Sequence, residues 1–447
     1  MIAEGVPIAR RTGAVLHDDD IDVTHGHDEG PRPLMKIAHV TDFYLPRLGG
    51  IEMQVAELTG RQRAAGHEVV VVTSSPSTRD APDDSDPYAP SHTSAGVPFG
   101  PDAVVRLTDG YRVQHAIHPA AWRDGCREVR EGGYDLVHCH VGVGSPLGFF
   151  VARAAARAGI PTVVTVHSLW AWAIGIFRLC NLVWGWTKLP ITWTAVSDTA
   201  ARHVRRVLPD GARVHVIPNG VDPARWTRRG GYPDREGELT VAAVMRLSAR
   251  KRPMPLLRML RDAQDRLGST ATIRLQVAGC GPRQRAMDRY LRRHGLADQV
   301  TLHGRLDRDH VRLMLESSDA FIAPANLESF GLAALEARCA GLPIVAKASG
   351  GLPEFIRHER EGLICETDGD MTHALERLAR DRPLLRRIQH HNRTQDCAVI
   401  WPHTLTLLAD VYETAGAGDV SLLPEIDLSP LQGDEAVRPH PRGRTER

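Results

Sequence analysis

The chain has 447 residues, 42% of them hydrophobic and 24% charged, with 55 Lys plus Arg against 54 Asp plus Glu. That length predicts two domains, each able to bury its own core, and the balanced charge speaks against a nucleic-acid binder, whose affinity rests on cations neutralising phosphates. Seven scattered cysteines without a C-x-x-C pair fit reduced thiols in a cytoplasmic protein.

Residues 1–34 carry Asp18, Asp19 and Asp20 among several His, Gly and Pro, without the apolar run of a secretory signal. They read as a disordered N-terminal extension, and Met35-Lys36-Ile37 itself looks like a chain start. From there short apolar runs alternate with longer stretches of helical spacing, which predicts an α/β fold of parallel sheets covered by helices. Strands are expected at 37–40, 69–73, 136–138, 162–166 and 193–196. A second series is expected at 240–244, 273–277, 300–302, 320–323 and 344–346. Residues 75–101, rich in Pro, Ser and Asp, read as a long loop. Pro218-Asn219-Gly220 and Gly230-Gly231 punctuate the middle, giving domains at 35–222 and 223–399. A last helical pattern covers 400–415, and 416–447 read as a disordered tail.

The run from Ala323 to Ala337 places Glu328, Phe330, Gly331, Leu332 and Glu336 between the end of a strand and the first turns of a helix. Such a helix start offers unpaired N–H groups and the positive end of its dipole to a phosphate. Glu336 is placed to accept ribose hydroxyls. Taken alone, each acid is an ordinary dipole-complementing residue. Arg246 and Lys251 follow another strand directly and so reach the same sheet edge, where two cations suit a diphosphate whose charge grows as it leaves. Arg250 and Arg252 read as a solvated basic loop. Gly279-Cys280-Gly281 supplies two glycines of a dinucleotide fingerprint, but Gln284 stands where the third belongs, against a nicotinamide site. Gly350-Gly351 forms one more close-approach loop.

The set Arg246, Lys251, Gly279, Gly281, Glu328, Glu336 and Gly350-Gly351 resembles the donor site of retaining glycosyltransferases of family four, the "glycosyl transferases group one". The resemblance runs from about Met35 to Tyr412. It implies the GT-B fold, two doubly wound Rossmann-like domains facing across a cleft, with a terminal helix returning to the first domain. Carried over, Arg246 and Lys251 hold the diphosphate of a nucleotide-sugar donor, Glu336 binds the ribose, and Glu328 lies near the transferred sugar. Gly49 and Gly50 resemble the glycine loop that reaches toward the donor phosphate, with Glu52 on the acceptor side. His167 matches the cleft histidine near the sugar. The resemblance also implies retention, and with phosphate charge met by side chains and a dipole, neither cofactor nor catalytic metal is expected. His138, Cys139, His140 and His167 invite a zinc site, but no recognised ligand framework accompanies them.

Residues 169–193 hold Trp170, Trp172, Trp184, Trp186 and Trp193 in an apolar run embedded between two strands. They read mainly as buried packing. A sharper expectation turns Trp170 and Trp172 toward a lipid-linked acceptor or the inner membrane face, beside a basic helix carrying Arg202, Arg205 and Arg206. Other classes reuse this phosphate geometry: a sugar-nucleotide epimerase, a pyridoxal-phosphate-dependent phosphorylase, or a catalytically silent nucleotide-sugar-binding scaffold.

Overall fold

The computed structural model describes residues 34–47, 49–77, 103–109, 118–232, 235, 237–397 and 399–417. In the first half the strands are β1 (Lys36–Thr41), β2 (Glu68–Thr73), β3 (Ala103–Arg106), β4 (Leu136–Val141), β5 (Thr162–Val166), β6 (Ile191–Ala195) and β7 (Val214–Val216). Helices α1 (Gly50–Ala64), α2 (Pro119–Glu131), α3 (Pro146–Arg157), α4 (Ile174–Trp184) and α5 (Asp198–Arg205) intervene, and α6 (Pro223–Trp226) follows. The strands pair in parallel in the order β3-β2-β1-β4-β5-β6-β7.

The second half has β8 (Glu238–Val244), β9 (Thr272–Ala278), β10 (Val300–Gly304), β11 (Ala320–Ala323), β12 (Ile344–Lys347) and β13 (Gly362–Cys365). Between them run α7 (Pro253–Leu267), α8 (Gln284–Arg293), α9 (Arg308–Glu316) and α10 (Leu332–Cys339), and α11 (Asp368–Arg380) and α12 (Arg382–Thr394) follow. The parallel order is β10-β9-β8-β11-β12-β13.

Strand order reverses between β1 and β4 in one sheet and between β8 and β11 in the other. Crevices open at such switch points, outside the carboxyl ends of the strands. Three strands absent from the sequence reading, β3, β7 and β13, are all sheet edges of three or four residues. An edge strand has one partner and too few apolar positions to show a pattern.

The final helix, α13 (Trp401–Ala417), packs Trp401, Leu408 and Tyr412 against Ile37, Leu136 and Val163 of the first sheet. It continues two residues beyond 415 into the expected tail; residues 418–447, most of the 75–101 loop and residues 1–33 lie outside the described residues.

Candidate functional site

Between the carboxyl ends of the two sheets lies an open cleft of about 1290 Å³. Gly49, Gly50 and Glu52 line it from the first half. Arg246, Lys251, Gly279, Gly281, Glu328, Gly331, Leu332 and Glu336 line it from the second. Apolar strands carry these polar groups to one edge, where the ends of a parallel sheet covered on both faces open to the cleft.

Gly331 sits at φ 96° and starts α10 without a side-chain cap, so the leading N–H groups of the helix stay open to the cleft. The loop before it is braced from below, where a Cβ on Gly350 would stand 2.5 Å from the Glu328 carbonyl and one on Gly351 2.2 Å from that of Ser329. Gly279 and Gly281 serve in the same way: a Cβ on Gly279 would lie 1.9 Å from the Met245 carbonyl, so this turn presses against the backbone that carries Arg246. Their role is backbone-to-backbone packing.

Two of the cations at this edge are already paired. Lys251 Nζ stands 2.6 Å from Glu328 Oε2. Arg308 on α9 donates to Glu336 Oε1 at 3.1 Å and also pairs with Glu57 of α1, which accepts from Trp401 Nε1 at 2.8 Å. One guanidinium thereby ties Glu336 to the first half. Burial pushes Glu336 up to about 7, opposed by Arg308. Glu52 is also raised by burial, with Arg47, 3.4 Å away, and Arg246 pulling the other way.

The Glu328 loop docks on the first half. Ser329 Oγ donates to the His167 carbonyl at 2.6 Å, and Ser197 Oγ donates to the Ser329 carbonyl at 2.6 Å. Glu354 caps α5, accepting from the backbone N–H groups of Asp198 and Thr199, each at 2.9 Å.

His167 is buried just beyond β5, its Nε2 3.0 Å from His140 Nδ1, and it does not line the cleft. Burial lowers His39 and His167 to about 4 and holds His138 and His140 well below the usual histidine range. These rings are neutral at physiological pH. Phe330 and Trp170 also lie outside the cleft lining: Phe330 packs in the second half's core, and Trp170 stacks on Phe177 with centroids 3.9 Å apart. Trp186 and Trp193 are buried too, whereas Trp172 is 63% exposed beside Ile176, Leu179, Leu182 and Val183 of α4. Arg202 and Arg205 both pair with Asp198, so the basic face of α5 is partly neutralised.

One expectation is corrected. Arg252 is not a solvated loop residue: it grips Asp368 through two bonds of 2.9 and 2.7 Å and also donates to the Pro324 carbonyl. That clamp holds the Asp368 carboxyl down, at about 2. Sequence reasoning also missed Arg308 and Arg47, although Arg308 follows a strand end just as Arg246 does. Asp42, after β1, accepts the N–H groups of Leu147 and Gly148 at 3.0 and 3.2 Å, and burial raises it to about 7.

Comparison with known proteins agrees with this architecture. Residues 48–225 match the family described as Glycosyltransferase Family 4, and residues 224–395 match Glycosyl transferases group 1. Glycogen synthase of Mycobacterium tuberculosis is 28% identical, covering 88% of this chain and 98% of its own. The D-inositol 3-phosphate glycosyltransferase of Salinispora tropica is 26% identical over 93% of this chain and 91% of its own. The structure of Anabaena HepE in complex with UDP-glucose superposes with a TM-score of 0.63 at 16% identity, covering 86% of this chain and all (100%) of that one. With two adjoining family matches across both sheets, the chain belongs to glycosyltransferase family four and has the GT-B fold.

Proposed function

We propose that this glycosyltransferase moves a sugar from a nucleoside-diphosphate sugar to an acceptor hydroxyl with retention of anomeric configuration. The observation that carries the reading is the meeting of Arg246, Lys251 and the uncapped start of α10 in one cleft. Two cations and a helix dipole there match a diphosphate and grow more favourable as negative charge develops on it. Glu336 and the Arg308 that holds it suit the ribose. The UDP-glucose complex of the HepE neighbour supports a nucleotide-sugar donor.

Double displacement would need a carboxylate nucleophile with a partner acid–base group. Glu328 is the nearest candidate, but its pairing with Lys251 blunts it as a nucleophile and suits it to positioning sugar hydroxyls. The step we favour is front-face attack. The acceptor oxygen bonds to the anomeric carbon as the bond to the diphosphate breaks, and the acceptor proton passes to the departing phosphate oxygen. With phosphate charge met by Arg246, Lys251 and the dipole, no metal or cofactor is required.

The exposed apolar face of α4, with Trp172 and Leu182 at its rim, supports a lipid-linked acceptor in envelope glycan or glycolipid synthesis at the inner membrane face. No helix of the described residues is long and apolar enough to cross a membrane. The test is turnover with a matched donor and acceptor in EDTA, with the product anomer read by NMR. Retained configuration and undiminished rate are expected; inversion, or activity abolished by chelation, contradicts the reading.

A further inference from the structure

Helix α10 meets the cleft at one end and carries a thiol at the other. Gly331 before its first turn and Glu336 within it line the cleft, and its last residue is Cys339. The segment that leaves α12 and crosses to the first half runs past that last residue. Arg338, itself buried, donates from Nη1 to the Gln395 carbonyl at 3.0 Å and from Nη2 to that of Asp396 at 3.1 Å. The next residue is Cys397. Both cysteines are 8% exposed, in one apolar cluster with Val221, Trp226 and Val399, and their thiols share a hydrogen bond. A little further on, Ile400 pairs with Val221, and the Trp401 N–H donates to the Val221 carbonyl at 3.2 Å. The outgoing and returning connections between the halves therefore lie side by side just beyond the thiol pair.

Two small aliphatic side chains would fill this space equally well. What packing does not require is one sulfur set against another with a buried guanidinium beside both. The hydrogen bond from Cys339 pulls Cys397 down to about 7, against burial and with help from Arg338, and the same bond pushes Cys339 up. The pair divides into a nucleophilic thiolate and a protonated partner placed to resolve whatever the thiolate forms.

We propose that Cys339 and Cys397 are a redox modification site, which a peroxide converts to a disulfide that ties α10 to the crossing segment and pulls its cleft end out of position. A peroxide is the fitting oxidant, because at 8% exposure the sulfurs admit only a molecule near the size of water. The Cys397 thiolate attacks one peroxide oxygen, the O–O bond breaks, and hydroxide departs, leaving a sulfenic acid on Cys397. The Cys339 thiol then attacks that sulfur. The S–S bond forms, the S–O bond breaks, and the oxygen leaves as water with the thiol proton. The two sulfurs give up two electrons, which the peroxide takes, and an external dithiol reverses the bond by exchange. Sulfurs in a disulfide stand about 2.05 Å apart, well inside any hydrogen-bond contact, so bond formation draws the end of α10 toward the crossing segment. Glu336 lies within one helical turn of Cys339, and a misplacement of about 1 Å can cost an active site about 100-fold. That the shift lowers transfer rests on the proposed function; formation of the disulfide does not.

The test uses the full chain, reduced and then exposed to graded hydrogen peroxide without substrate. Free thiols are alkylated with N-ethylmaleimide under denaturing conditions, and the unreduced peptides are read by mass spectrometry. A linked pair containing Cys339 and Cys397 should appear, and dithiothreitol should release it. Recovery of both residues alkylated, or carried to sulfinic acid with no linked pair, overturns the site. Sugar transfer assayed in parallel should fall at least about tenfold on oxidation and return with dithiothreitol. Cys397→Ala and Cys397→Ser cannot form the bond and should keep their turnover through the same treatment. Both variants retain the half-buried Cys280 of the cleft lining, so they report oxidation at the cleft itself. Loss of activity in them equal to the parent's assigns the inhibition to another thiol and overturns the switch, as does a linked pair with undiminished turnover. A linked pair in a chain whose reduced form transfers no sugar upholds the modification site and contradicts the transferase reading alone.

Discussion

At the carboxyl edge of the second sheet charge is present and provisionally paired, Lys251 with Glu328 at 2.6 Å and Arg308 with Glu336 at 3.1 Å. The first half, by contrast, buries four histidines that burial keeps neutral, within a network of hydrogen-bond contacts. On the proposed function, the difference suits the two ends of a sugar nucleotide. On the reading proposed above, a diphosphate needs cations that can be reassigned when it arrives, and the partly exposed Lys251–Glu328 pair exchanges readily because such a pair is worth little by itself. A neutral sugar needs fixed dipoles, and a buried network holds them without reorganising.

The largest effect should come from breaking the charged side. Lys251→Ala is expected to lower kcat/KM about 100- to 1000-fold, the usual cost of removing a group that stabilises developing negative charge, while leaving the melting temperature near that of the parent. Turnover close to the parent's would remove Lys251 from its assigned role. Next comes Arg308→Ala, which leaves Glu336 buried without its counter-charge and drives that carboxyl further up. Nucleotide affinity measured by calorimetry at pH 7 should weaken about tenfold, one charge-assisted hydrogen bond's worth; unchanged affinity would separate Arg308 from the ribose site.

The neutral side should show itself in acid. Four histidines whose folded values burial depresses bind protons more readily in the unfolded chain, so their contribution is present above about 6.5 and lost as pH falls. Asp42 and Glu336, both raised to about 7, act oppositely, binding protons in the folded state across much of that range. In mildly acidic solution the four histidines outnumber the two carboxyls, so unfolding should take up protons net and stability should fall on acidification. Denaturant titrations across pH would measure it, and stability that rises on acidification would contradict neutral rings. The smallest catalytic effect is expected from Leu179→Glu with Leu182→Glu on α4, which should abolish sedimentation with anionic vesicles and leave transfer to a soluble acceptor unchanged. Undiminished vesicle binding would show that α4 is not the contact.

The cleft residues of the second half were legible because each follows an apolar strand directly, so that Arg246, Lys251 and Glu328 could be placed at one sheet edge from local pattern alone. Arg252 and Arg308 were not, since what defines them is a partner far away in sequence: Asp368 for one, and Glu57 and Glu336 for the other. His39 escaped notice because a single histidine inside an apolar strand reads as core. Only the register that sets it beside His138, and the return of α13 with Tyr412, turns it into part of a network. The tryptophan-rich segment divided in a way that composition cannot express, burying Trp170, Trp186 and Trp193 while leaving the α4 face and Trp172 outside.

The central claim, a nucleotide sugar held by cations reassigned from acidic partners, is tested most directly by thermal shift against a panel of nucleoside-diphosphate sugars, run on the parent chain and on Lys251→Ala. A bound donor stabilises the fold by mass action. The account predicts that at least one nucleotide sugar raises the melting temperature of the parent and that the rise is lost in Lys251→Ala. Stabilisation of both proteins alike, or of neither by any member of the panel, would contradict it.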